Sequence, residues 1–406
     1  MSTISIFFNE NRLSSILFLS LPILYFFIGP KLYWVIHILI LIVVIFEVKG
    51  FAKSNYYWFL TLLIIPVAWS FLYSINSPSY FIVQSLFYLS TPVVMIFLGM
   101  QYGRIITKEQ LLKYIIYSGT IGSVIFIIIG LFAVGNAIFT DIYAIRTVIL
   151  WSSITNVMTL IILLFQYKSN TTLINNKLNR FTIIIVNIIA LISTASRTYY
   201  LIFFIFSFVF LFYYNKKWFF SSAILIIFLI VFVSTVKTDN LMINKIQNSI
   251  EEITNTSVFA GYDEVNSFYR AYETQQALET YKDGNEYNLL FGHGLEKQVD
   301  LKIYVQLGED FRRNIPVLHN GFAYLLLRCG AFGLFSFLIF FVFIIVVAFN
   351  KIQDHFLSLI LFGLVLSLLI SNYVIGTFFS TEMSIGWVII GIIFTLRQNE
   401  SIKEIN

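Results

Sequence analysis

Long apolar runs separated by short polar breaks dominate the chain. A membrane-crossing helix needs about 20 mostly apolar residues, within a range of about 17 to 25. On that criterion the pattern predicts spans at Leu13–Gly29, Leu32–Val48, Tyr56–Ile75, Tyr80–Met100, Leu111–Val134 and Thr147–Gln166. It continues with Phe181–Ala195, Thr198–Tyr214, Trp218–Val236, Leu318–Phe349, Phe356–Phe378 and Met383–Leu396. The expected fold is an all-α polytopic membrane protein of about 12 transmembrane helices. Almost no chain remains for the turns at Pro30-Lys31 and Ser196-Arg197, so these read as tight helical hairpins.

One polar interval differs in kind. Residues 237–316 hold thirteen Asp/Glu against eight Lys/Arg, with no Ser/Gly linker and no repeat. Ordinary connections have a median of about 4 to 6 residues, and much longer ones are usually functional. Val265–Tyr281 carries helix-like apolar spacing, and Phe291-Gly292-His293-Gly294 reads as a turn built on Gly292 and Gly294. The chain therefore divides into an N-terminal bundle (1–236), a large loop (237–316) and C-terminal helices (317–406).

Composition agrees with membrane residence. Only 12% of the 406 residues are charged and mean hydropathy is +0.84, whereas globular chains carry about 25%. The net charge of +5 reflects cytoplasmic loops, which collect Lys and Arg, and does not argue for nucleic-acid binding. With the N-terminus inside, fourteen Lys/Arg fall on inner segments and three, Lys31, Arg146 and Arg197, on outer ones. Both termini are then cytoplasmic and the large loop is outside. Leu13–Gly29 lacks a cleavage site and reads as a retained span. Most of the 24 Tyr and 6 Trp suit interfacial anchoring.

Candidate chemistry gathers where the loop re-enters the membrane. His319-Asn320 opens an apolar run, with Gly330 eleven residues after His319 and Gly333 three further on. On one continuous helix Gly330 falls within roughly 20° of His319 and roughly 16 Å deeper, on a face where a neighbouring backbone can approach closely. His319 can exchange a proton near neutral pH, or it is simply a polar helix start; Asn320 beside it is a candidate substrate contact. Arg197, at an outer turn, either snorkels to headgroups or holds an anion through its planar fork. Arg270 pairs with Glu273 or Glu279 on its own helix, or binds an anion. Arg312 and Arg313 form a solvated cluster with Glu309 and Asp310, or reach an anion near His319. Arg328 suits interhelical pairing as well as substrate binding. No His-Glu-x-x-His set, carboxylate cluster or Gly-rich Lys-Ser/Thr loop occurs, so no bound metal, cofactor or nucleotide hydrolysis is expected.

His-Asn, nine residues, Gly, two residues, Gly resembles the signature of the O-antigen ligase/polymerase superfamily. Thr194-Ala195-Ser196-Arg197 is similar to that family's Ser/Thr-x-Ser-Arg turn. Arg270, Ala277-Leu278 and Leu290-Phe291-Gly292-His293-Gly294 are similar to its loop pattern, except that Thr274 stands where an aromatic is usual. The resemblance covers Thr194 to Ser336. It implies a class C glycosyltransferase-like fold with a large periplasmic loop, in the bacterial inner membrane. It also implies metal-independent glycosyl transfer from an undecaprenyl-diphosphate-linked oligosaccharide. His319 would be the base, and Arg197 and Arg270 would hold the diphosphate. Membrane lipids and a chain-length regulator protein are further implied partners. The text from His319 to Leu327 looks most like repeat-unit polymerases; a ligase acting on lipid A-core is the alternative, and a repeat-unit flippase the alternative of another class.

Overall fold

In the computed structural model the described residues are 30–47, 56–75, 80–135, 154–166, 173–194, 196–221, 268–307, 310–349, 355–376, 379–380 and 383–405, with isolated positions 24 and 265. Helices account for most of them. The first seven are α1 (Pro30–Glu47), α2 (Tyr57–Ser74), α3 (Tyr80–Tyr102), α4 (Lys108–Val134), α5 (Ile154–Phe165), α6 (Lys177–Thr194) and α7 (Arg197–Tyr214). The loop region supplies α8 (Tyr269–Lys282), α9 (Glu286–Phe291), β1 (Val299–Leu307) and β2 (Asp310–Ile315). The chain closes with α10 (Gly321–Phe349), α11 (His355–Ile375) and α12 (Ser384–Ile405).

Among the described residues, six helices are long and apolar enough to cross a membrane: α2, α3, α4, α6, α10 and the Tyr373-terminated part of α11. Val35–Phe46, Ile154–Phe165 and Thr198–Tyr214 are apolar but shorter. The chain is a multi-pass membrane protein. Its large apolar side chains face outward at many points, Phe132 at 89% and Phe46 at 78% exposure, which water would penalise and lipid does not. Apart from Leu24, the expected span Leu13–Gly29 lies outside the described residues, as do most of Trp218–Val236, residues 147–153 of the expected span Thr147–Gln166, and positions 237–264.

Two features depart from the predicted pattern. The all-α expectation misses the antiparallel hairpin β1–β2, in which Val299 pairs with Ile315 and Leu307 with Asp310. Val299, Leu301, Val305 and Ile315 are buried, an alternation with the two-residue period of a half-covered strand. A register shift between Asp300 and Val305 interrupts the pairing of the two strands, and Lys302 takes a positive φ of 63° there.

The second departure is in α10. Gly330 sits at φ 66°, ψ −169°, so the run is two helical pieces joined at a break. The common face expected for His319, Gly330 and Gly333 on one straight helix does not exist. Only Gly avoids the steric cost of that conformation.

Helix packing follows from small residues and exchanged hydrogen bonds. Pro66 lies inside α2 and offers no N–H to the Leu62 carbonyl four residues earlier; Ser336 Oγ of α10 donates to that carbonyl instead, at 2.6 Å. On α3, Gly99 and Gly103 face Gly391 and Thr395 of α12. A Cβ on Gly99 would collide with the Val388 carbonyl, and one on Gly391 with that of Ile96. Such contacts let helix backbones approach closely in lipid. Leucine at Gly99 or Gly391 is expected to lower stability by about 1–3 kcal/mol or more, the usual range for overpacking. Denaturation of the detergent-solubilised protein checks this, with the exposed Ile121→Leu change as a control.

Candidate functional site

The loop enters the bundle at the break in α10. Gly292 (φ 87°) and Gly294 (φ 92°) turn the chain after α9. Side chains at Gly292 and Gly330 would each strike the other segment: Gly292 the Arg328 carbonyl, Gly330 the Leu290 carbonyl and Gly292 nitrogen. The two backbones are therefore in direct contact, and the neighbour of Gly330 is the end of α9 and the turn after it rather than another membrane-crossing helix.

Buried irregular backbone needs a partner for each polar group. The His293 N–H donates to the Leu327 carbonyl at 2.9 Å. Ser70 Oγ donates to the Arg328 carbonyl at 2.7 Å. The Leu295 N–H donates to Ser74 Oγ at 2.6 Å, and Ser85 Oγ donates to the Leu295 carbonyl at 2.8 Å. Arg328 is fully buried and donates to the carbonyls of Leu295 and, at 2.6 Å, Pro316; its guanidinium lies 5.3 Å from the Tyr324 ring centre. Of the two roles open to Arg328, this is the structural one, although it joins helix to loop rather than helix to helix.

Nine residues before Arg328, the same loop makes its second attachment. Glu273 of α8 is buried, and both its oxygens bind His319. Oε1 accepts the His319 backbone N–H, and Oε2 lies 2.8 Å from Nδ1. The His319 side chain is 43% exposed against 1% for Glu273, so the ring is held from behind and open in front. Tyr269 meets the ring edge-on at a centroid distance of 5.8 Å. Burial, and next the Glu273 charge, push the Tyr269 phenol far above its usual range, so it keeps its proton. In the sequence Glu273 reads only as a partner for Arg270. The available signal was its place on α8, one turn past Arg270 on the side that carries buried Gln276 and Ala277.

The other expected residues fall as follows. Asn320 is 5% exposed, and its Oδ1 accepts the N–H groups of Phe322 (3.0 Å) and Ala323 (3.2 Å). Its oxygen caps α10, a local structural duty. Arg313 is likewise engaged. It forms a two-pronged pair with Asp300, Nε–Oδ1 at 2.7 Å and Nη2–Oδ2 at 2.8 Å, which holds the Asp300 carboxyl well below the usual range. Lys302 N–H adds a third bond to Asp300, at 2.8 Å, so this carboxylate gathers the bulge. Arg312 is exposed on β2.

Arg270 lies in the first turn of α8, next to Tyr269 and one turn before Glu273, half-buried. Arg197 begins α7; its side chain lies outside the described residues. Its end of the bundle can still be assigned. The far end of α7 packs on the start of α11, Tyr213 on His355 at 5.4 Å and Phe210 on Phe356 at 5.3 Å. The two helices are thus antiparallel, and Arg197 lies toward the end of α11. There a Cβ on Gly376 would sit 3.2 Å from the His319 carbonyl. Arg197, Arg270 and His319 therefore share one end of the molecule.

Residues 182–338 match the family model described as O-antigen ligase. The chain carries a domain of the O-antigen ligase/polymerase superfamily. The match runs from α6 through the break in α10 and so contains Arg197, Arg270, Glu273, His319, Gly330 and Gly333. Members of this superfamily are glycosyltransferase-like enzymes, both ligases and polymerases. No curated protein matches the chain.

Two predictions follow from the geometry of this domain. Gly330→Ala is expected to undock the loop, since it adds both a backbone clash and a left-handed residue, the latter costing about 1–3 kcal/mol. Faster tryptic cleavage after Lys297 in detergent measures it. Arg313→Ala should leave glycan output within about twofold of wild type, because exposed ion pairs typically contribute less than about 1 kcal/mol; a complementation assay reads that directly.

Proposed function

We propose that this protein polymerises undecaprenyl-diphosphate-linked oligosaccharide repeat units into a surface polysaccharide, on the periplasmic side of the bacterial inner membrane. The observation that carries the reading is the half-open His319 ring, fixed at a membrane–loop junction inside an O-antigen ligase domain. In this scheme the His319 imidazole takes the proton of an acceptor hydroxyl as that oxygen attacks the anomeric carbon. The bond from that carbon to the diphosphate breaks, and the lipid diphosphate leaves with the electron pair. A single displacement inverts the anomeric centre.

Arg197 and Arg270 hold the diphosphate. Guanidinium matches phosphate oxygens in a fork, and its charge offsets the one growing on the leaving group. Arg312, exposed near the base of the His319 helix, is an additional contact for the sugar-diphosphate. A second reading, ligation of finished polymer to lipid A-core, draws support from the description of the matching family.

The lipopolysaccharide ladder of a deletion strain separates the two. One repeat on core is expected; lipid-linked polymer with bare core would instead make the protein a ligase. In the same strain His319→Ala should reproduce the deletion, with turnover down about 10²- to 10⁴-fold and donor binding nearly intact. Arg270→Ala should weaken donor binding as well as turnover, and Lys should restore it only in part.

A further inference from the structure

His319 has two ring nitrogens, and only one can be the base. A carboxylate accepts hydrogen bonds and donates none. With Glu273 Oε2 at 2.8 Å from Nδ1, the proton of a neutral ring belongs on Nδ1. The lone pair is then on Nε2, away from the buried carboxylate and toward the open side of a side chain that is 43% exposed. The other carboxylate oxygen holds the His319 backbone N–H, so ring and main chain are fixed by one rigid group. The edge-on Tyr269 ring, 5.8 Å away, limits rotation of the imidazole on a further side.

We propose that Glu273 is the positioning residue of this site: it fixes His319 with its proton on Nδ1 and presents Nε2 to the acceptor hydroxyl. This rests on His319 being the base. During transfer Nε2 gains the acceptor's proton and the imidazolium sits against a buried carboxylate; Glu273 stays ionised and its charge offsets the new one. The imidazolium then returns its proton to solvent or to the departing diphosphate. An orienting carboxylate that acts through the imidazole in this way is a recurrent catalytic device. The same contact attaches α8, and with it Arg270, to the start of α10.

Glu273→Gln gives a directional test. The backbone N–H of His319 can only donate, so it claims the amide oxygen. The amide NH2 is then left facing Nδ1, which must accept, and the ring proton moves to Nε2. The shape of the site is kept while the base is blocked.

The experiment uses the full-length protein in lipid nanodiscs with ¹⁵N-labelled histidine; the chain has four histidines, and His319→Ala identifies the relevant signal. Lipid-linked repeat unit extracted from the deletion strain serves as donor. Wild type is expected to show Nδ1–H and Glu273→Gln to show Nε2–H. For the variant, kcat should fall about 10²- to 10⁴-fold, as for loss of a general base, with donor binding within about twofold. A wild-type ring protonated on Nε2 overturns the proposal, and this readout stands even if the variant does not fold. Wild-type kcat in Glu273→Gln also overturns it, as does an inactive variant with the native tautomer. Normal turnover by His319→Ala would refute the catalytic reading itself; an inactive His319→Ala beside a fully active Glu273→Gln refutes only the role of Glu273.

Discussion

Backbone that is not helical cannot lie in a membrane protein's interior with unpaired polar groups, each of which costs several kcal/mol in hydrocarbon. The break at Gly330 and the loop segment Phe291–Leu295 satisfy one another under that constraint. The broken helix leaves the Leu327 and Arg328 carbonyls without their usual donors, and these are met by His293 N–H and Ser70 Oγ. The loop's own groups at Leu295 are met by Ser74 and Ser85. Three serines from α2 and α3 and one buried arginine thus hold a piece of loop inside a helical bundle. Neither partner would be stable there alone.

The proposed chemistry depends on this docking. His319 precedes α10, and its ring is oriented by a residue on α8, which belongs to the loop. If the loop were free, Glu273 would leave, and a half-exposed imidazole would rotate. Arg270 would leave with it, being one turn away on the same helix. The buried joint therefore supports the proposed catalytic geometry without containing any of the groups proposed to react. Arg328 illustrates the distinction. It is an arginine in the matched domain near the proposed base, yet its donors go to main-chain carbonyls of the loop.

Spans such as Tyr80–Met100 and Leu111–Val134 were legible because twenty apolar residues have few other fates, and their bounds differ from α3 and α4 by at most three residues. His319, Arg270 and the Gly-x-Gly turn were legible as text. Periodicity could not reveal the break at Gly330, because an apolar pattern does not record φ. Nor could it separate Arg313 from Arg312. That distinction arises from strand register: Asp300 pairs with Asn314 at the edge of the bulge, and Arg313, the next residue along β2, reaches its carboxylate. Glu273 was hidden by a local alternative: a Glu three residues after an Arg on a helix reads as an ion pair, and only the fold shows the carboxylate turned inward to His319.

The interval of eleven residues between His319 and Gly330 takes on a different meaning in the folded chain. On a continuous helix it would be an angle that returns both residues to one face. With the break it is a length, set mainly by the helical stretch from Gly321 to the break at Gly330, between two points of attachment for a single loop. Glu273 binds at the upper point and Gly292 at the lower. The loop between them is stiffened by its own contacts: Tyr281 Oη donates to the Leu289 carbonyl at 2.5 Å, and His293 Nε2 meets the Tyr281 carbonyl at 3.1 Å. Helix α8, helix α9 and the turn form a bracket with two feet on α10. A bracket of fixed span fits only a helix whose cap and break are correctly spaced, so the spacing that looked like a packing motif acts as a ruler. It sets where the imidazole stands relative to the loop that carries Arg270.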